Sequence, residues 1–426
     1  MSEQSERQER GLMIAAKSRI TQTGDVWRVP SASNYAPFYE VNPDPAKPHC
    51  TCPDFEKREA KCKHIYAVEI VIERESSTTI TTDANGNTTT TETETVKVTK
   101  RVTYGQDWTA YNLAQTNEKA IFQKLLAALC ANIVEPEKHL KATTKLAYAD
   151  MMFAIVFKIY STVSGRRFMT DLNEARDKGY ITKVCHFNSI FNYLEMPNLT
   201  SVLKQMIEHS SLPLKALERD FAVDSSGFST SQYVCWFDEK YGKERTTNLW
   251  IKAHLMTGVK THIVTSAEIT GKDANDCPLL PGLVEKTAKN FKLDEVSADK
   301  GYSSLDNHEA IAKAGAVPFI AFKANTTGGV GGLFEKMFHF YQYNRDAFLS
   351  HYHKRSNGET VFHMIKSKFS TRLRSKGDTA QINEALCKVL CHNLCVLIQS
   401  LFEFEIVPTF CGDITIIAPE MDAVAA

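Results

Sequence analysis

The sequence has no excess of either charge and no long apolar run. Fifty Lys and Arg residues balance fifty Asp and Glu residues among 426 residues. A neutral chain creates no overall field that attracts nucleic acid, so binding of that kind must come from local basic patches. Without an apolar run of about 18 residues we expect no membrane span, and the polar segment 1–11 predicts no secretory signal.

The cysteines do not form the pattern of a disulfide framework. There are eleven, an odd number; three cluster near Cys50 and others lie in apolar helical segments. This favours reduced thiols together with a metal site. We therefore expect an intracellular protein, cytoplasmic or nucleoid-associated if the chain is prokaryotic.

The length allows two or three domains, and the residue patterns divide the chain into five segments. In the Thr-rich segment, Asn85-Gly86 favours a β-hairpin, but a flexible polar linker is an equal alternative. We expect the helical domain that follows to bind DNA. The segments are a small β/α module at 20–75, the Thr-rich segment at 76–102, a helical domain at 103–220, an α/β domain at 221–404 and a tail at 405–426.

The fourth segment predicts an α/β fold. Strand-like runs occur at 221–223, 250–255, 261–264, 294–298 and 317–322, with helical patterns between and after the later ones. Three strands followed by alternating helices and strands suit a mixed sheet with helices on its faces.

A Cys/His cluster lies in the first segment. Cys50-Thr51-Cys52 is followed by Cys62-Lys63-His64. Thiolates and imidazole are preferred zinc ligands, and four of them close a tetrahedral structural site. The cluster resembles the SWIM zinc finger over residues 25–72. That family implies structural Zn²⁺ and a module that binds DNA or protein, and the sequence does not say which.

Three carboxylates are candidates for metal-dependent phosphodiester chemistry. Asp224 and Asp299 each follow a predicted strand and precede a small-residue turn, where α/β sheets place ligands. Glu359 opens a predicted helix that Asn357 could cap. Two divalent ions can activate a nucleophile and stabilise the leaving oxygen, and Mg²⁺ or Mn²⁺ requires hard oxygen ligands.

A group of phosphate-binding side chains surrounds the third carboxylate. If the helix is continuous, Tyr352, Arg355, Glu359 and Lys366 fall within an arc of about 60°. Seven Lys or Arg residues and one acid lie between positions 354 and 376. Beside a carboxylate site, this favours binding of a phosphate backbone. The further predicted DNA-binding residues are Lys368, Arg372 and Arg374.

This spacing resembles the YREK signature of insertion-sequence DDE transposases. The segments around Asp224 and Asp299 are similar to the family's two Asp motifs, and the resemblance spans about 221–402. It implies an RNase H-like fold in which Asp224, Asp299 and Glu359 hold two Mg²⁺ ions. It implies double-stranded DNA partners, transposon ends and target, bound by a homodimer. Tyr352, Arg355 and Lys366 would contact phosphates near the scissile bond.

Three functions remain open on this interpretation. The first is a transposase that cleaves transposon ends and transfers strands to target DNA. The second is a transposon-derived DNA-binding protein without cutting activity, and the third is a nuclease of the same fold without strand transfer. Only about 60 residues separate Asp299 from Glu359. This leaves no room for the β-rich insertion of many relatives and puts hairpin processing by such a domain in doubt.

Overall fold

The computed structural model describes most of the chain, which divides into two compact units, Met1–Gln106 and Asp107–Ala426. The five predicted segment boundaries stay predictions. The described residues are 7, 10, 11, 14, 20–23, 26–31, 37–44, 47–58, 60–82, 88–98, 107–134, 146–230, 250–323, 325–410 and 416–417.

The N-terminal unit contains a four-stranded antiparallel sheet in the order β1-β2-β3-β4. Trp27 and Val29 are buried between half-buried neighbours on the second strand. Tyr39 and Val41 alternate in the same way on the third, so both strands bury one face. The strands are β1 (Thr21–Thr23), β2 (Val26–Pro30), β3 (Phe38–Asn42) and β4 (His49–Cys50).

Two helices and a hairpin complete this unit. Helix α1 (Pro53–Arg58) is followed by α2 (Lys63–Val71), whose Ile65 and Val68 join the buried cluster of the sheet. Strands β5 (Ile72–Thr82) and β6 (Thr88–Val98) then pair antiparallel in continuous register. The predicted turn at Asn85-Gly86 lies outside the described residues.

The second unit begins with helices that share one hydrophobic core with the C-terminal part of the chain. Asp107 caps the first of them by accepting hydrogen bonds from the backbone N–H groups of Thr109 and Ala110, both at 3.0 Å. The elements are α3 (Trp108–Cys130), β7 (Ile133–Val134), α4 (Tyr148–Ser161), α5 (Gly165–Asp177), α6 (Phe187–Leu194) and α7 (Asn198–Ser211).

A five-stranded sheet of order β10-β9-β8-β11-β12 follows. The first three strands pair antiparallel, and β11 pairs parallel to both β8 and β12. The predicted mixed sheet flanked by helices, of RNase H-like type, is confirmed. Its elements are β8 (Asp220–Ser229), β9 (Trp250–Gly258), β10 (Val264–Gly271), α8 (Leu280–Ala288), β11 (Glu295–Ala298), α9 (Leu305–Lys313) and β12 (Val317–Ile320).

The third strand was predicted wrongly at 261–264. Residues before Val264 form a tight turn in which the N–H of Gly258 donates to the Ile263 carbonyl at 2.8 Å. His262 has a φ of 64° in this turn, a left-handed conformation that ends strand geometry. The turn is therefore longer than predicted, and β10 extends instead to Gly271.

The C-terminal helices contain the centre of the core. The last of them is buried around most of its circumference and packs against α3, α4 and α7. Among the described residues it is the one helix long and apolar enough to cross a membrane, and 78% of its apolar window is buried inside the protein. These elements are α10 (Gly332–Tyr343), α11 (Arg345–Tyr352), α12 (Ser356–Phe369), α13 (Asp378–Glu403) and β13 (Ile416–Ile417).

Candidate active site and candidate zinc centre

The parallel register of β8 and β11 brings two predicted carboxylates to the same edge of the sheet. Val223 pairs with Ala298, so the next residues, Asp224 and Asp299, emerge side by side. Asp224 does not follow the strand as predicted but lies within it, because β8 continues to Ser229 by pairing with β9. Asp299 does follow its strand and precedes a 3-10 turn.

Helix α12 supplies the third carboxylate. It begins at Ser356 rather than at Glu359, so the predicted Asn357 cap is wrong. A 3-10 turn at His353–Arg355 connects it to α11, which ends at Tyr352. The chain therefore stays helical through the segment that the sequence left uncertain, but the 3-10 turn departs from the continuous α-helix on which the predicted 60° arc depended.

Gly358 sets the distance between this helix and the sheet. It is buried, and a Cβ built on it would lie 2.8 Å from the Asp224 Cβ. Real side chains do not approach so closely, so a glycine is required where α12 crosses β8. This close crossing holds Glu359 near the two aspartates.

Negative charge accumulates at this crossing. Burial, with smaller contributions from the charges of Glu359 and Asp299, raises the pKa of Asp224 to about 6, although a backbone hydrogen bond from Ser225 and the charge of Arg355 oppose this shift. A carboxyl group that loses its proton reluctantly beside two other acids is stabilised by cations. The donor set therefore fits Mg²⁺ or Mn²⁺, which favour hard oxygen ligands.

Two of the predicted DNA-binding residues bond to the carboxylates, and a third lies beside Asp224. The Arg355 guanidinium binds the Glu359 carboxylate at 2.7 Å, and the Tyr352 hydroxyl donates to Asp299 at 3.4 Å. Lys366 donates to the Ser226 hydroxyl at 2.6 Å, beside Asp224 on β8. The structure thus brings Tyr352, Arg355 and Lys366 together with the three acids.

A second cluster lies in the N-terminal unit. The ligand atoms of Cys50, Cys52, Cys62 and His64 all lie within 4.8 Å of one another, and all four residues are buried. The Nδ1 atom of His64 is 3.9 Å from the sulfurs of Cys50 and Cys62. Sulfur and nitrogen ligands of tetrahedral zinc lie about 3.6 Å apart, given the usual bond lengths. The geometry therefore fits a closed structural zinc site.

The three thiols form hydrogen bonds with one another, and these bonds shift the pKa values of Cys50 and Cys52 in opposite directions. Hydrogen bonds from Cys50 and Cys62 lower the pKa of Cys52, whereas its hydrogen bond to Cys52 raises the pKa of Cys50. One sulfur therefore ionises at the expense of its neighbours. Zinc allows several to be thiolates at once, because the ligands must lose their protons to bind.

Two family models match these same parts of the chain. A model described as transposase DDE domain matches residues 215–394, and the SWIM zinc finger matches residues 39–73. The chain carries a transposase DDE domain. Both predicted resemblances are confirmed, and the DDE domain supports a transposase-type nuclease function. No solved structure matches the chain.

Three predicted DNA-binding residues of the DDE domain lie away from its carboxylates. Lys368 forms an ion pair with Glu118 of α3, and Arg374 donates to the Thr162 carbonyl at 2.6 Å. Arg372 is exposed next to the end of β8. The structure does not bring these residues to the trio, and their DNA contacts stay a prediction.

Sequence reasoning missed two residues beside the carboxylates of the DDE domain. The Tyr302 hydroxyl is buried and has no hydrogen-bond partner among the residues described. Burial and then the charge of Asp276 raise its pKa, with smaller contributions from Asp224 and Asp299. Asp276 itself accepts a hydrogen bond from Ser225 at 2.9 Å. The position of Tyr302 in the Asp-Lys-Gly-Tyr motif could have indicated from the sequence that it lies near Asp299. Asp276 lies in a loop whose sequence gives no such indication.

Asp224→Asn should stabilise the protein in the absence of added magnesium. The raised pKa means that stability from protonated Asp224 is fully present below pH about 3.8 and lost as pH rises through about 6. Two pKa units correspond to up to about 3 kcal/mol at pH 8. Thermal denaturation measures this, with the exposed Asp273→Asn as control. A lower melting temperature for Asp224→Asn would contradict the electrostatic assignment.

Removal of zinc should unfold residues 25–72 and leave the DDE domain folded. A structural zinc site contributes about 10–16 kcal/mol, comparable to the whole stability of a small domain. Cys62→Ser or a chelator should therefore expose this segment to limited proteolysis without changing the melting of the second unit. Thr51→Ser, which keeps the hydroxyl that accepts from Glu40 N–H, is the matched control. Collapse of both units would rule out an independent finger.

Proposed function

We propose that the protein is a DNA transposase that cleaves transposon ends and joins the freed ends to target DNA. The observation that supports this proposal is that the parallel register of β8 and β11 sets Asp224 beside Asp299, while Gly358, the neighbour of Glu359, packs against Asp224. A DNA-binding protein without cutting activity has no need for three converging acids.

The proposed ligands for two divalent cations are Asp224, Asp299 and Glu359. Bound there, the cations would activate the attacking oxygen and stabilise the leaving oxygen of the phosphodiester. Burial of Asp224 between α12 and the sheet excludes much of the competing water and strengthens these interactions. The Arg355 fork holds Glu359 in place at 2.7 Å.

The cationic side chains supply the contacts to DNA in this proposal. Lys366 is half-buried, and burial lowers its pKa while the negative charge of Asp224 raises it. Its ammonium lies where it can bind a phosphate oxygen next to the scissile bond. Arg355 and Tyr352 flank the other side of the acids, and a guanidinium matches phosphate oxygens with a planar fork.

The reaction has two steps. Hydrolysis at a transposon end breaks the phosphorus–oxygen bond and leaves a 3′-hydroxyl. That hydroxyl then attacks a target phosphodiester, forming one bond as another breaks. We further propose that a homodimer acts on paired ends inside the cell, and that the SWIM zinc finger and helices α3–α7 help select the DNA.

A plasmid assay tests the proposal. The substrate carries the mobile element that encodes this chain, with its flanking ends, and the reaction contains Mg²⁺. Excised element joined to a second plasmid is the expected product. Cutting without joining would support the nuclease alternative, and binding without cutting would support the DNA-binding alternative.

A further inference from the structure

A cavity of about 260 Å³ lies apart from the carboxylates, between the C-terminal ends of α4 and α12 and the first half of α13. Its charged lining is almost entirely of one sign. Five cationic side chains and one acid face it: Lys158, Lys368, Arg372, Arg374, Lys388 and Glu384.

The single acid is already fully used by the protein. Glu384 accepts hydrogen bonds from the backbone N–H groups of Arg374 and Ser375, at 2.8–3.0 Å. It also forms an ion pair with Lys388 at 3.6 Å. Lys388 in turn donates to the carbonyls of Ser370 and Arg372. These groups satisfy one another and build the wall of the cavity.

Two of the remaining cations also have partners, and two do not. Lys368 pairs with Glu118, and Arg374 binds the carbonyl at the end of α4. Lys158 is only 4% exposed, yet its ammonium has no hydrogen bond or ion pair to any described residue. The Arg372 guanidinium likewise has none within the described part of the chain.

The Lys158 side chain is buried, but its ammonium faces the open space of the cavity. A cation held there with no counter-ion among the described residues favours an anionic ligand. Burial and, to a smaller extent, the positive charge of Arg374 lower the pKa of Lys158 to about 8, while the charge of Glu384 opposes this shift. Lys158 therefore still carries a charge at neutral pH. An anion in the cavity would satisfy it.

We propose that this cavity binds a phosphate group of the DNA backbone, with Lys158 and Arg372 as its ligands. A planar guanidinium and a compact ammonium together match the oxygens of a phosphodiester. The DNA source rests on the proposed function, whereas the anion pocket itself does not. Free phosphate or a nucleotide presents the same oxygens, and the experiment below separates these sources.

The helix that carries Glu359 also fixes how far the cavity lies from the cut. Lys368 follows Glu359 by nine positions on α12, which is about 13 Å along the helix axis. Phosphates of one DNA strand advance about 3.4 Å along the duplex axis per nucleotide. A phosphate in the cavity would therefore be a different one from the scissile phosphate.

Lys158→Met tests the pocket because it keeps the length of the side chain and removes the charge. We expect an unchanged or higher melting temperature, about 10-fold weaker binding of element-end DNA, and a salt slope reduced by about 1. The control is Lys313→Met, which removes an exposed charge at the end of α9. Binding is measured without added Mg²⁺, so the outcome does not depend on cleavage.

A scan with single methylphosphonate linkages along the duplex identifies the phosphate. At one position, the neutral linkage should weaken DNA binding by the intact protein. The same linkage should not weaken DNA binding by Lys158→Met any further, as expected when the two groups interact directly. Additive effects at every position, or full affinity of Lys158→Met, would overturn the proposal. A different outcome would show that the anion is not a DNA phosphate: inorganic phosphate would stabilise the intact protein but not Lys158→Met, and the two proteins would bind DNA with equal affinity. Failure of the intact protein to cut would count against the proposed function alone.

Discussion

Asp299→Ala is expected to abolish excision, with a loss of at least about 1,000-fold, while the protein stays folded. Loss of one carboxylate removes cation binding worth several kcal/mol in the transition state, and each 1.36 kcal/mol is a factor of ten. Asp299 is half-buried and its side chain accepts only a long hydrogen bond from Tyr352, so alanine opens no core cavity. The plasmid excision assay measures the effect, and circular dichroism checks the fold.

Asp294→Ala is the matched control at the opposite end of the same strand. Asp294 pairs with Arg219 at 3.6 Å and Lys292 at 3.9 Å, both exposed contacts of little energetic weight. Its removal should leave excision within about two-fold of the intact protein. If Asp299→Ala excises as well as Asp294→Ala, the catalytic assignment of the acids is wrong.

Gly358→Ala is expected to reduce excision by about 100-fold without changing the charge of the site. Its methyl group would meet the Asp224 Cβ at 2.8 Å, so α12 must move away from β8. Glu359 moves with that helix, and a displacement of about 1 Å in a reacting constellation can cost about 100-fold in rate. Excision at saturating DNA separates this loss of rate from a loss of binding.

Gly282→Ala provides the comparison for a helical glycine. A Cβ at Gly282 in α8 meets nothing within 4 Å, and alanine favours helix more than glycine does. This variant should be as active as the intact protein and slightly more stable. Equal activity of Gly358→Ala and Gly282→Ala would mean that the close crossing does not position Glu359.

The features that could be predicted from the sequence are those in which the chemistry lies within a short stretch of chain. Cys50, Cys52, Cys62 and His64 lie within a stretch of 15 residues. The structure brings their four ligand atoms within 4.8 Å of one another. The placement of Glu359 and Lys366 on one face follows from the helical periodicity of α12, whereas Tyr352 and Arg355 precede that helix across a 3-10 turn. Both patterns are local, so few alternative folds could separate their members.

The pairing of strands that lie far apart in the sequence was harder to predict from the sequence. That Asp224 and Asp299 belong together was suggested by strand context and by resemblance, but their adjacency depends on the register of two strands whose paired residues are 75 positions apart. The end of β8 was misplaced because its extension to Ser229 is stabilised by β9, not by its own residues. The importance of Gly358 became visible only once a helix lay across a strand.

The basic residues after Lys366 show most clearly which properties the sequence determines and which the tertiary structure decides. By itself, the sequence determined that the segment is cationic and adjoins a transposase-type carboxylate motif. Only the tertiary structure decided that Lys368 is neutralised by Glu118, 250 residues away, and that the buried Lys158 has no partner among the described residues. Charge is a property of each residue, whereas its neutralisation depends on what the fold brings within a few ångströms. For that reason the candidate metal-binding acids could be proposed from the sequence, whereas the cationic cavity could not.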